Sequence, residues 1–206
     1  MKKLLLGMLS LALIALAGCS SESTQPAEKP QPKPAEYLTG RAAFQKLYVA
    51  AHGWARDAQA FRLESLMTSD YKGKDGKSAV WRASFASALG RSVKPYTWSG
   101  TDVADAPARG VDPGSEDTYS PNNSSTQVFD IQFLKVDSDK ALEVAQKHGG
   151  DKIMEKAPDT PIQYVLDWNH NENKLEWHVL YGASREQPKL NVAVDATSGE
   201  FLRVEK

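Results

Sequence analysis

Three stretches with different hydrophobic patterns divide this chain of 206 residues. From Leu4 to Gly18 the residues are almost all apolar and show no periodicity, a run of 15. A membrane-spanning helix needs about 20 such residues. A signal-peptide core needs roughly 7–15, so the run predicts a signal core. Residues 20–36 follow, with no aromatic or branched aliphatic side chain and with Pro26, Pro30, Pro32 and Pro34. Such a segment cannot bury enough surface to offset the entropy of ordering it. It reads as an extended tether reaching roughly 50 Å at about 3.1 Å per residue. From residue 37 onward, periodic patterns begin.

Phe44, Leu47, Tyr48, Ala51 and Ala55 recur at three- and four-residue spacing, which predicts a helix over Arg41 to Ala58 with Thr39 as its cap. A second helix is predicted after Asp137 or Ser138, with Ala141, Val144, Ala145 and His148 as its stripe. Gly149-Gly150 would break or end it. Strands are predicted after each helix. In the first half they are Ala60–Thr68, Ser78–Ala86 and Ser92–Trp98, the first two separated by the turn Lys74-Asp75-Gly76-Lys77. In the second half Ile162, Tyr164 and Leu166 alternate with polar residues, Leu175, Trp177, Val179 and Tyr181 do the same, and Lys189–Asp195 closes the set. Each half therefore reads helix, strand, strand, strand.

The halves share landmarks. Leu38 and Leu134, His52 and His148, and Trp81 and Trp177 are each 96 residues apart, while the helix stripes match better at 97. This predicts an internal repeat, which a different strand order in the two halves would contradict. Between the halves, Ser99–Ser125 is rich in Pro, Gly, Asn and Ser and reads as a long connection. Thr126–Val136 alternates and predicts an extra strand that feeds the second helix and joins the two units into one sheet. The expected class is α+β, built from two similar helix-plus-antiparallel-sheet units. The expected organisation is 1–18 signal, 19–36 tether, 37–98 first unit, 99–125 connection and 126–206 second unit.

Composition narrows the chemistry. Without residues 1–18 the chain carries 23 basic and 26 acidic residues, a formal charge of −3. That leaves no basic excess to attract nucleic acid. Cys19 is the only cysteine, so disulfide and thiolate-metal chemistry are not expected of the body. Five tryptophans, Trp54, Trp81, Trp98, Trp168 and Trp177, predict a substantial core.

Two family resemblances follow from particular residues. Lys2-Lys3, the apolar run and Leu16-Ala17-Gly18-Cys19 together resemble a bacterial lipoprotein signal peptide. The resemblance implies cleavage between Gly18 and Cys19, and acylation of Cys19 with diacylglyceryl and palmitate-type chains. It implies a cell-envelope location, in the outer membrane facing the periplasm for a Gram-negative host, since Ser20 rather than Asp follows Cys19. Asp137-Ser138-Asp139-Lys140-Ala141-Leu142-Glu143-Val144-Ala145 resembles the helix opening of PepSY domains, and Val194-Asp195-Ala196-Thr197-Ser198-Gly199-Glu200-Phe201-Leu202 resembles their closing strand. Ser198 departs from the usual Thr before the glycine. In this turn Asp195 would bond the backbone, Gly199 would supply positive φ and Phe201 would return to the core. The resemblance implies non-catalytic binding of an envelope protein or peptide, with restraint of a peptidase among the family's roles.

No catalytic motif stands out: the sequence lacks Gly-x-Ser-x-Gly, a phosphate loop and a dinucleotide fingerprint. No catalytic residue, metal ligand set or cofactor is therefore expected. His52 and His148 read as helix-end residues. Asp167, Asn169 and Asn171 open like a calcium loop, but Glu172 and His178 occupy the places of its glycine and its closing glutamate, so a polar hairpin is expected. Asp112, Glu116 and Asp117 read as a solvated acidic run. The candidate binding groove comprises Trp81, Trp177, Tyr181 and His178, between helix and sheet. A small-ligand carrier with a helix–sheet cavity is the alternative, and an envelope hydrolase built on one of the histidines comes after it.

Overall fold

The computed structural model describes residues 33–205. The signal run, Gly18, Cys19 and the tether to residue 32 lie outside the described residues. Among those that are described, no helix is long and apolar enough to cross a membrane.

The elements in chain order are β1 (Leu38–Thr39), α1 (Gly40–Trp54), β2 (Gln59–Leu66), β3 (Lys77–Ser78), β4 (Val80–Ser87), β5 (Ser92–Ser99), β6 (Gly110–Pro113), β7 (Asp117–Thr118), α2 (Ser138–Ala145), α3 (Asp151–Lys156), β8 (Ile162–Asn169), β9 (Lys174–Tyr181), β10 (Leu190–Asp195) and β11 (Phe201–Glu205). Nine strands form one antiparallel sheet in the order β11-β10-β9-β8-β2-β4-β5-β6, with β7 also on β5. The fold is α+β, built from helix-plus-sheet units. The seam is the pairing of β2 with β8, Leu63 opposite Leu166. Outward from it the order reads β2-β4-β5 on one side and β8-β9-β10 on the other. The strand order is thus the same in both halves.

The equivalences between the halves are sharper than the spacing of landmarks suggests. Gly40, Ala43, Phe44 and Leu47 are buried in α1, and Ser138, Ala141, Leu142 and Ala145 are buried in α2. These correspond at an offset of 98, not 96 or 97, so His52 and His148 are not counterparts. The outer strands do keep 96. The Trp81 indole N–H donates to Leu38 O at 2.9 Å and the Trp177 indole N–H to Val136 O at 2.9 Å, each two residues before its own helix. Gly100 N donates to Ala79 O at 2.8 Å, as Ala196 N does to Leu175 O at 2.9 Å. The two-residue difference is absorbed between each helix and the second strand after it, where connection length is free to vary while pairing register is not.

The halves meet through their helix starts. Thr39 makes no side-chain cap bond. Instead, Ser138 Oγ accepts from Gly40 N at 2.7 Å and Asp137 Oδ1 accepts from Arg41 N at 2.9 Å. Asp137 Oδ1 also accepts from Ser138 N at 2.7 Å. One carboxylate therefore faces two helix N-termini, where the macrodipoles favour negative charge. A Cβ on Gly40 would lie 2.4 Å from the Trp177 ring, so only glycine lets α1 start over both indoles.

Three expectations are corrected. Residues 126–136 are not a strand. One short 3₁₀ turn, Ser124–Thr126, ends where the segment begins and a second spans Ile131–Phe133, because Asn123 Oδ1 bonds Ser125 N and Asp130 Oδ1 bonds Gln132 N, closing local turns in competition with a ladder. The alternation there places Phe129 and Leu134 in the core without sheet pairing. The connection 99–125 is not wholly irregular, since β6 and β7 extend the sheet from it. Phe201 does not return to the core: it lies on edge strand β11, and its ring stacks on His148 at 3.7 Å. The rest of that turn forms as read, with Asp195 Oδ1 accepting from Thr197 N and Ser198 N and Gly199 at φ 80.

Candidate binding face of the sheet

Strand alternation gives the sheet two unlike faces. The helices cover one. It is filled by Leu63, Trp81, Phe85, Tyr164, Leu166, Trp177, Val179 and Tyr181, all essentially without solvent exposure. The Trp81 and Trp177 rings meet edge to face at 6.4 Å. The expected groove is therefore corrected. Trp81, Trp177 and Tyr181 are interior packing, and His178, next to Trp177 on β9, points to the opposite face. Four residues that share strands β4 and β9 cannot line one surface when odd and even positions diverge. The space beside α1, lined by Phe44, Tyr48, Ala58 and Phe129, is about 200 Å³, below the roughly 300 Å³ of a small-molecule pocket.

No helix of the described residues covers the other face. Around its β8–β11 end, charged side chains interlock. His178 Nε2 lies 3.3 Å from Asp167 Oδ1 and Nδ1 lies 3.1 Å from Glu205 Oε2. Arg203 donates to Glu176 Oε2 at 2.7 Å, to Glu205 Oε1 at 2.7 Å and to Glu172 Oε1 at 2.9 Å. Arg62 pairs with Asp167 at 3.1 Å. Glu176 is fully buried, and Asn169 Nδ2 completes its surroundings at 3.1 Å. Burial opposes charge on His178, but its bonds to Asp167 and Glu205 outweigh burial and hold its pKa up at about 9. The hydrogen bond from His178 leads in holding Glu205 down at about 2, against burial and with help from Arg203. Burial would raise Asp167, yet the His178 bond and the charges of His178 and Arg62 hold it low. At neutral pH His178 is an imidazolium donating from both nitrogens.

Toward β4 the face turns partly apolar. Leu66, Met67, Val80, Ala104, Ala106 and Pro107 line a concavity of about 620 Å³ together with Arg82, Gln163 and Arg185. A second concavity of about 320 Å³ lies over Val165, Leu180, His178 and Asn191. Arg185 borders both. Its guanidinium bonds Glu64, Gln163 Oε1 at 2.9 Å and Ser65 O at 2.5 Å.

Glu176, His178 and Glu205 also stand in metal-ligand spacing, their donor atoms within 4.8 Å of one another. Those atoms are engaged, however: Arg203 holds both glutamates and His178 carries protons on both nitrogens. A metal ion would have to displace a guanidinium and a proton. Of the other histidines, His52 packs on Tyr48 at 4.2 Å, His148 on Phe201, and His170 bonds Gln127 at 3.2 Å. The calcium-like segment is a turn in which Asn169 Oδ1 accepts from Asn171 N and Glu172 N. In the acidic run, Glu116 bonds the Trp54 indole and Lys94 at 3.0 and 3.2 Å. The sequence reading missed the polar cluster; its signal was the charged residues at alternate positions, Arg62 and Glu64 on β2, Glu176 and His178 on β9, Arg203 and Glu205 on β11.

No family model matches the chain, and no curated protein matches it. Among solved structures, a lipoprotein candidate (CD1622) from Clostridium difficile 630 shares the fold, with a TM-score of 0.53 over 79% of this chain and 91% of that one. The two are 12% identical, so the likeness concerns fold.

Proposed function

We propose that this chain is an envelope lipoprotein, anchored through acylated Cys19, whose body binds a protein or peptide without catalysis on the open face of its sheet. The carrying observation is the asymmetry of the sheet: one face is sealed by helices, while the other carries no helix among the described residues and is concave, with an apolar trough beside a polar cluster. The likeness to PepSY domains, each a helix with three strands, supports the binding role, and restraint of a peptidase is the form it would take if the partner is one. The lipoprotein-candidate fold neighbour is consistent with the anchor. A non-catalytic reading is supported by His178, whose nitrogens both donate and leave no lone pair for a general base.

Two measurements test this. Replacing Cys19 by Ala should move the protein from the membrane to the soluble fraction; retention on the membrane would contradict the anchor. A photoreactive residue at Met67, beside the trough, should cross-link to an envelope protein in intact cells, while one at Val49, exposed on α1, should not. Cross-links from Val49 alone, or from neither position, would contradict binding at the sheet.

A further inference from the structure

Arg82 differs from the other cations of the open face. Arg185 bonds Glu64 Oε2 directly, while Arg82 reaches Glu64 Oε1 only as a longer ion pair at 3.6 Å, beyond hydrogen-bonding distance. Arg62, Arg203 and His178 each have a bonded carboxylate. Arg82 keeps its donors free while its side chain, 44% exposed, lines the apolar trough. Asp105 stands among the trough's lining residues, but its two oxygens are taken by Ser69 N at 2.7 Å and Ser69 Oγ at 3.1 Å. At its β4 end the face thus offers a guanidinium that is ion-paired but makes no hydrogen bond among the described residues.

The shape of the face indicates an extended ligand. The two concavities lie in series across β4, β2, β8, β9, β10 and β11, with Arg185 between them. Five inter-strand gaps of about 4.8 Å make a track of roughly 24 Å, the length of about seven extended residues. The carboxylates at the far end are already paired, so they do not compete for Arg82 or call for a second cation.

We propose that this face takes an extended peptide segment, its apolar side chains seated over Leu66, Met67 and Pro107 and one carboxylate held by the Arg82 guanidinium. This rests on the binding role proposed above and names the chemistry of what is bound. Arginine suits the role because its planar fork grips a carboxylate with two parallel bonds.

The test is selection of random heptapeptides against the full-length protein in detergent, in the natural form and as Arg82→Gln. The natural protein should enrich peptides with alternating apolar residues and one Asp or Glu. Arg82→Gln should lose the acidic preference and bind a selected peptide about tenfold more weakly by fluorescence anisotropy. Changing the peptide's acid to its amide should weaken binding to the natural protein equally and add no further loss in Arg82→Gln. Ala106→Arg, which fills the trough, should abolish binding, with unchanged thermal melting showing that both variants fold. An acidic preference that survives Arg82→Gln, or no enrichment at all, would overturn the proposal. So would binding of dodecanoate that depends on Arg82 when no peptide binding does, since that assigns the trough to a lipid carboxylate. Cross-links from Met67 without any acidic preference would leave the binding role standing and sink only this inference.

Discussion

The two faces of the sheet are made by the same strands and do opposite work. On β9, Trp177 is sealed against Trp81 beneath the helices, and the next residue, His178, joins a network of carboxylates and guanidinium groups. The covered face gains from removing apolar area from water, at about 25 cal/mol per Å². The open face gains little from ion pairs, because desolvation offsets their attraction. Its network does fix the positions of charged side chains, which suits recognition. The comparison teaches that the tryptophans, the most conspicuous residues in the sequence, belong to stability, while the less conspicuous arginines border the surface where binding is proposed.

Substitutions on each face should separate these roles, beginning with the largest effect. Trp177→Ala opens a cavity under both helix starts and removes the bond to Val136 O; it should cost about 3–5 kcal/mol of stability in chemical denaturation. A cost under 1 kcal/mol would erase the distinction between the faces. Arg203→Met should cost about 3 kcal/mol, because it strands the fully buried Glu176 without its cation. Replacing Arg203 and Glu176 together by apolar residues should recover most of that loss, which would separate a stranded charge from a useful pair.

His178→Gln should cost roughly 3 kcal/mol near pH 6. The native pKa of His178 is raised from 6.5 to about 9 by Asp167 and Glu205, after opposition from burial. Its contribution is therefore complete below about pH 6.5 and lost as pH rises through about 9. Glu205 has the opposite sign. Its pKa is depressed from 4.5 to about 2, so its contribution is present above about pH 4.5 and lost as pH falls through about 2. The difference between natural protein and His178→Gln, followed by denaturation at several pH values, should shrink steadily above pH 6.5. A difference that stays constant to pH 10 would mean that His178 is neutral in the fold. Smallest in stability is Arg82→Gln, which should change the melting midpoint hardly at all, since Arg82 has no hydrogen-bonded partner among the described residues.

Much of the fold was legible in the sequence. Period-two alternation marked β4, β8 and β9, helical spacing marked α1, and Asp195 with Gly199 marked the closing turn. The repeat was legible through Trp81 and Trp177, although its helix register required the structure, because burial and not identity reveals that Gly40 answers to Ser138. Residues 126–136 misled because alternation records which side chains are buried, and Phe129 and Leu134 reach the core from local turns as readily as from a strand. The binding face was the least legible part. A tryptophan on a strand signals a contact but not which face it occupies, and the partners of His178 come from β8 and β11, far apart in sequence. That Arg82 keeps only a long ion pair to Glu64, which Arg185 reaches across 121 residues, shows only in the folded chain.

The most direct test of the division between the faces is hydroxyl-radical footprinting of the protein in intact cells and again after purification. Met67, 36% exposed beside the trough, is a readily oxidised reporter of the open face, and Leu89, 87% exposed on the β4–β5 turn, is the reference. Binding at the sheet predicts that oxidation of Met67 is several-fold lower in cells than after purification while Leu89 is unchanged. Equal oxidation of Met67 in both settings would contradict it.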